Sequence, residues 1–190
     1  MAVTAVTGEI GAGKSTVSAI LARLMNCTLI DADKIAAEIW TRNDVKNTAV
    51  SRWGNGILDS HGEIIKAEIS RRIFTSTEEH RFCDSLIHPL VMDEIRRLTE
   101  GIDAVAEIPL LPEAGRPEWI GRAVYVMAEF GTRAERCRAR GWDDDELLRR
   151  EKFLLPRELR IDVCDCIIRN EGSLSELYGQ AVRFLQEDDL

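Results

Sequence analysis

Hydrophobic positions along this chain recur with two periods. Short β-prone apolar runs alternate with longer segments whose apolar residues fall three and four apart. "AVTAV" at residues 2–6 predicts a buried parallel strand. A glycine-rich loop follows, and then "KSTVSAILARLM", which puts Val17, Ile20, Leu21 and Leu24 on one helical face. "CTLI" predicts a second strand ending in "DADK", so the chain opens with a βαβ unit. The middle segment is mostly helical: "EIIKAEISRRIF" and "EEHRFCDSLI" carry helical spacing, and Pro89 suits the first turn of a separate helix, "PLVMDEIRRLTE". "DAVAEIPLL", stopped by Pro109, "RAVYVMA" and "DCIIRN" predict three further strands. "TRAERCRARG" reads as a helix closed by Gly141. "WDDDELLRREKFLL" starts with aspartates that favour a helix N-terminus. "SLSELYGQAVRFLQ" reads as a last amphipathic helix, with Ser173 and Glu176 at capping-box spacing. Five strands alternating with helices predict an α/β fold with a doubly wound parallel sheet.

Composition narrows the class. At 190 residues the chain predicts one compact domain with a proper core, and 45% hydrophobic residues is ordinary for a soluble protein. No repeat, low-complexity tract or linker interrupts it. A net charge of −8 argues against a general nucleic-acid binder, which needs a basic footprint. The apolar stretches fall short of a membrane span, and "MAVTAVTGEI" lacks a basic n-region and a cleavage site. The expectation is a cytoplasmic protein with no membrane or nucleic-acid partner. Five cysteines, an odd number at loose spacing, make no disulfide framework. Cys164 and Cys166, the one close pair, read as strand residues rather than as half a metal site.

The loop carries the chemistry. Gly8-Glu9-Ile10-Gly11-Ala12-Gly13-Lys14-Ser15 fits the template G-x-x-x-x-G-K-[ST] between a buried strand and an amphipathic helix. Such a loop turns successive backbone N–H groups inward at the positive end of the helix and forms an anion nest. Gly8, Gly11 and Gly13 let the backbone approach phosphate oxygens, Lys14 brings a charge to the β- and γ-phosphates, and Ser15 offers a hydroxyl to Mg²⁺. Glu9 stands at a free position of the template. Its side chain points away from the phosphates or meets a nearby base. The second strand ends in Asp31-Ala32-Asp33, and strand alternation places Asp31 and Asp33 on one side of the ligand crevice. These carboxylates suit acceptance of a hydroxyl proton or a metal-bound water, and Asp33 also suits a helix cap. No Asn/Thr-Lys-x-Asp base-reading motif of a GTPase is present. A small-molecule kinase is the simplest reading. Arg133, Arg136 and Arg140 form a helical stripe fit for a cationic lid or, more blandly, for a solvated charged helix.

Taken in order, the segments resemble the dephospho-coenzyme A kinase family over nearly the whole chain. "TGEIGAGKSTVSAILARL" resembles its phosphate loop and first helix, and "LIDADKIAAEI" its Asp-Ala-Asp motif. "SLIHPLVMDEI" resembles its His-Pro-Leu-Val helix, "EIPLLPEAG" its Asp-Val-Pro-Leu-Leu-Phe-Glu segment, and "CDCIIRNEGSLSEL" its closing strand, Asn-x-Gly turn and last helix. The resemblance implies ATP- and Mg²⁺-dependent phosphorylation of the ribose 3′-hydroxyl of dephospho-coenzyme A. It also implies a P-loop kinase-like core spanning 1–190, a helical acceptor-binding insertion at about 40–100 and a lid at about 136–160. Gly11, Ala12, Gly13, Lys14, Ser15 and Thr16 would hold the ATP phosphates, and Asn170 and Gly172 would pass close to adenine. Asp33 would be the base, with Asp31 beside it, and Arg136 and Arg140 would be the lid arginines. Lys66, His88 and Glu107 fall on the acceptor side, with a helix-start role open for His88. The chain departs from the pattern at Gly62-Glu63-Ile64-Ile65-Lys66, where the family has Gly-x-Leu-Asp-Arg, and at Glu107, Pro112, Leu154 and Arg160. Most departures lie on the acceptor side or in the lid. Another nucleotide-like acceptor, such as a nucleoside monophosphate, and a nucleotide-binding regulatory protein without catalysis are the rival readings. The sequence leaves the oligomeric state open.

Overall fold

The computed structural model describes residues 2–186. Met1 and residues 187–190, the ends of the span expected for the domain, lie outside the described residues. In chain order the elements are β1 (Val3–Gly8), α1 (Lys14–Leu24), β2 (Thr28–Asp31), α2 (Ala32–Ile39), α3 (Asn43–Trp53), α4 (Lys66–Ile73), α5 (Thr77–Leu98), β3 (Ala104–Glu107), α6 (Leu111–Ala114), β4 (Ile120–Met127), α7 (Phe130–Arg138), α8 (Asp144–Glu151), α9 (Arg157–Ile161), β5 (Cys166–Arg169) and α10 (Leu174–Gln186). They form two compact units: Ala32–Arg97 is one, and the residues before and after it make up the other.

The larger unit holds a five-stranded, all-parallel sheet in the order β2-β3-β1-β4-β5. β1 lies at its centre and is buried at all six positions, which is why its sequence is a continuous apolar and β-branched run rather than an alternation. Val17 and Leu21 of α1 pack fully buried with Val6, Val105, Val124 and Ile168 of the sheet and with Leu177 and Phe184 of α10. Ile20 and Leu24 complete that helical face as partly buried neighbours. The strand order reverses beside β1, so the crevice at the strands' carboxyl ends opens where β1 runs into its glycine loop.

The smaller unit is helical, with a short antiparallel bridge between Leu58 and Ile64. Trp53 is in its core, edge-on to Phe82 at 5.2 Å and stacked with Trp40 at 6.5 Å. The sequence predicts a new helix at Pro89, but α5 runs unbroken through it. Proline removes only one donor, the one that would reach the carbonyl of Ser85. Cys83, Ile87, Val91 and Ile95 continue a buried stripe across the site, and burial of that stripe outweighs the local break. A second difference lies at the end of β2. The strand stops at Asp31 and Ala32 is already helical, so strand alternation does not relate Asp31 to Asp33.

Candidate active site

The loop after β1 is held by the sheet and by the neighbouring helices. Glu9 N–H donates to Val126 O at 3.0 Å and Ala12 N–H to Glu9 O at 3.2 Å. Gly13 is the N-cap of α1 in the left-handed region, at φ +90°, and a Cβ there would stand 2.3 Å from Asn170 Nδ2. At Gly8, φ +143°, a Cβ would stand 2.0 Å from Val126 O. Only glycine fits either position. The first turn of α1 carries no acidic side chain, so its positive end is left for an anion. Lys14 Nζ donates to Glu9 O at 3.0 Å, with Gly8 O at 3.4 Å, and so lies along the inside of the loop.

An oxygen-rich edge adjoins it. Ser15 Oγ donates to Glu107 Oε1 at 3.0 Å. Glu107 ends β3 and lies in register with Asp31 at the end of β2 and with Val6 of β1. The sequence assigned Ser15, Asp31 and Glu107 to separate motifs. The parallel register gathers them at one end of the sheet.

Arginines from α7 and α9 grip the loop backbone. Arg136 donates to Ala12 O at 3.1 Å and to Asn170 O at 3.0 Å, and Asn170 Nδ2 donates to Ala12 O at 2.8 Å. Arg136 and the buried Asn170 therefore brace the carbonyl two residues ahead of Lys14. Gly172 lies against the carboxylate of Glu176, 2.0 Å from where a Cβ would be. Arg133 is buried. It donates to Ala128 O at 3.0 Å and Ile10 O at 3.2 Å, and it pairs with Glu151 and, at 3.3 Å, with Glu9. Arg140 lies two residues beyond the end of α7 and is exposed, so the stripe read from the sequence separates into a buried strut, a loop brace and a surface arginine. Glu9 turns away from the loop's interior. It accepts from Ala128 N–H at 3.1 Å and pairs with Arg157 at 2.6 Å. Arg160 donates to Gly8 O at 2.9 Å and lies 3.3 Å from the buried carboxylate of Glu113. Arg157, Arg160 and Glu113 have no loop role in the sequence reading. The signal for the arginines was their spacing of three on a short helix.

In the smaller unit, Asp33 lies exposed in the first turn of α2, and Lys66 is the exposed first residue of α4. Ile65, where the family resemblance places Asp, is the N-cap of α4 and makes no side-chain cap bond among the described residues. His88 sits in mid-helix on α5, its Nε2 3.6 Å from Asp84 Oδ1, while His80 Nδ1 lies 2.9 Å from Asp84 Oδ2. That position excludes a helix-start role for His88.

Other reactive groups are quiet. All five cysteines are free thiols, and burial pushes Cys83 and Cys164 up to about 12, which keeps them protonated at neutral pH. Among the described residues no group of three or more His, Cys, Asp or Glu side chains could hold a metal, and no helix is long and apolar enough to cross a membrane.

The dephospho-CoA kinase family model matches residues 2–176. The chain is 34% identical over 189 residues to the dephospho-CoA kinase of Carboxydothermus hydrogenoformans, covering 95% of this chain and 91% of that one. It is 30% identical over 186 residues to the dephospho-CoA kinase of Aquifex aeolicus, covering 95% and 94%. A crystal structure from Thermus thermophilus superposes with a TM-score of 0.78 at 29% identity, covering 98% of this chain and 97% of that one. A shikimate kinase from Acinetobacter baumannii, at 16% identity and a TM-score of 0.54, shares the fold alone. With its phosphate loop at the carboxyl end of β1 and a family match along nearly its whole length, the chain belongs to the dephospho-CoA kinase family.

Proposed function

We propose that this protein transfers the γ-phosphoryl group of ATP to the ribose 3′-hydroxyl of dephospho-coenzyme A, giving coenzyme A and ADP. The observation that carries the reading is the loop itself, with Lys14 along its inner side and Ser15 Oγ 3.0 Å from the Glu107 carboxylate. Backbone N–H groups of Gly11 to Thr16 and the open positive end of α1 receive the phosphates. Lys14 moves from the loop carbonyls to the β- and γ-phosphate oxygens, where its charge opposes what develops during transfer. Arg136, already on the loop, and Arg140 add positive charge on the lid side. Hard oxygen donors suit Mg²⁺, and the Ser15 hydroxyl with the Glu107 carboxylate would hold it. When bound, that ion would supply charge neutralisation to the transferring group. The acceptor's 3′-oxygen bonds to the γ-phosphorus as the bond from that phosphorus to the ADP oxygen breaks, and Asp33 takes the hydroxyl proton. Asp31, Lys66 and His88 serve the acceptor, and Asn170 and Gly172 border the adenine. The setting is the cytoplasm.

A coupled ADP-release assay with a panel of acceptors tests this. Turnover with dephospho-coenzyme A, and little with nucleoside monophosphates, is the expected result. Turnover confined to a nucleoside monophosphate, or none with any acceptor, overturns it.

A further inference from the structure

Glu9 is the one acidic side chain in the phosphate-binding loop, and its side chain is only 4% exposed. A buried carboxylate beside an anion site is unfavourable twice over, through lost hydration and through repulsion of the incoming phosphates. One donor and two cations from three parts of the fold offset this: Ala128 N–H donates at 3.1 Å, and the guanidinium groups of Arg133 and Arg157 pair with the carboxylate at 3.3 Å and 2.6 Å. Buried ion pairs of this kind roughly break even in stability, and their best-attested use is to fix one arrangement of the elements they join.

What Glu9 joins is specific. Its backbone carbonyl accepts from Lys14 Nζ at 3.0 Å, so the residue that anchors α9 through its side chain also seats the lysine through its backbone. Arg157 is the first residue of α9 and is about half exposed, at 48%. Arg160, one turn further on, donates to Gly8 O at 2.9 Å, the carbonyl just before Glu9. Arg133, which shares the Glu9 carboxylate, also pairs with Glu151 at the end of α8. One carboxylate thus ties α7 and α9, and through Arg133 the end of α8, to the loop whose Gly8 and Glu9 carbonyls face Lys14.

We propose that Glu9 is a positioning residue for phosphoryl transfer, acting through Arg157 to hold α9 in register with the loop segment that seats Lys14. The proposal rests on the kinase reading above. It differs from a purely structural role in that the energy of the pair is realised in turnover rather than in folding.

The test is a double-mutant cycle on ADP release, with ATP and dephospho-coenzyme A varied separately. Glu9→Gln keeps the shape and removes the charge, and Arg157→Gln alters a half-exposed side chain while Arg133 still faces the carboxylate. Each single variant is expected to lower kcat by about tenfold with little change in either KM, the equivalent of about 1.4 kcal/mol in the barrier. The double variant is expected to be no slower than the singles, because both remove the same contact. Arg157→Lys, which keeps a charge without the planar fork, is expected to recover part of the rate. A kcat for Arg157→Gln within about twofold of wild type, or losses that multiply in the double variant, overturns the proposal. If Glu9→Gln does not fold, Arg157→Gln and Arg157→Lys decide alone. The wild-type rate tests the function, and the ratios among variants test Glu9. If the panel finds a different acceptor, the same ratios are read with that acceptor.

Discussion

Ile65 shows how a residue that looks like a lost binding group acquires a local reading in the structure. The family resemblance places Asp there, in a segment read as acceptor-side. The backbone makes it the N-cap of α4, at φ −83° and ψ 99°, where an Asp side chain would accept from the N–H of Ala67 or Glu68 and the Ile side chain cannot. Substituting Ile65 loses its partly buried surface whatever replaces it, so the informative comparison is between two replacements. Ile65→Asp is expected to be more stable than Ile65→Ala by about 1 kcal/mol, the usual worth of an N-cap over alanine. Denaturant midpoints measure this, and equal midpoints would show that the position is not a working cap. Glu9 is the opposite case. As a free position in a template it carries no assigned meaning, and the fold realises both readings open to it: the side chain turns away from the loop's interior and there meets two arginines.

At the scale of elements, local chemistry was legible wherever partners lie within a turn of each other. Ser173 and Glu176 form the expected capping box, Ser173 N–H donating to Glu176 Oε2 at 2.7 Å and Glu176 N–H to Ser173 Oγ at 3.3 Å. Asp143 caps α8, accepting from Glu146 N–H at 2.8 Å. Contacts between strands were not legible in this way. Asp165 receives Ala123 N–H at 2.7 Å and Arg116 at 2.9 Å, which joins the start of β5 to β4 and to the segment before it. Burial is the largest single influence and would raise the Asp165 carboxyl. The hydrogen bonds from Arg116 and Ala123 outweigh it and leave the group below its ordinary value of 3.8. A carboxyl depressed in the folded state adds stability above its unfolded value, and that stability is lost as the pH falls through the folded one. Asp165→Asn is expected to lower stability most at neutral pH, where this contribution is fully present, and progressively less as the pH falls, so that the acid limb flattens. Denaturant midpoints followed downward from neutral pH check it, and an unchanged slope below pH 3.8 would remove Asp165 from the account.

The whole molecule binds two ligands in the proposed reaction, and each should stabilise the fold by its own binding. A ligand held at about 100 times its Kd adds about 2.7 kcal/mol, which for a chain of this size raises the melting temperature by about 5–10 °C. Thermal unfolding with Mg-ATP, and separately with dephospho-coenzyme A, is expected to show a rise with each. A rise with ATP alone would keep the phosphate loop and remove the acceptor assignment.

The sequence by itself determined the five strands, the parallel α/β class, the phosphate loop and the family. Each of these rests on short-range patterns: a continuous apolar run, a helical period, or a glycine, lysine and serine at fixed spacing. Tertiary structure decided that α5 passes through Pro89, because burial of a stripe extending from Cys83 to Ile95 outweighs the local break. It decided that Glu107 meets Ser15, 92 positions away, because parallel pairing sets Glu107 beside Val6 of β1, the strand that runs into the loop and α1. It decided that Arg133, Arg136 and Arg140 have three different fates, because a helical stripe says which side chains share a face but not where the helix ends or what lies against it. Periodicity is a property of neighbours along the chain. The partner of a buried charge is set by packing, and packing brings together residues that the sequence keeps far apart.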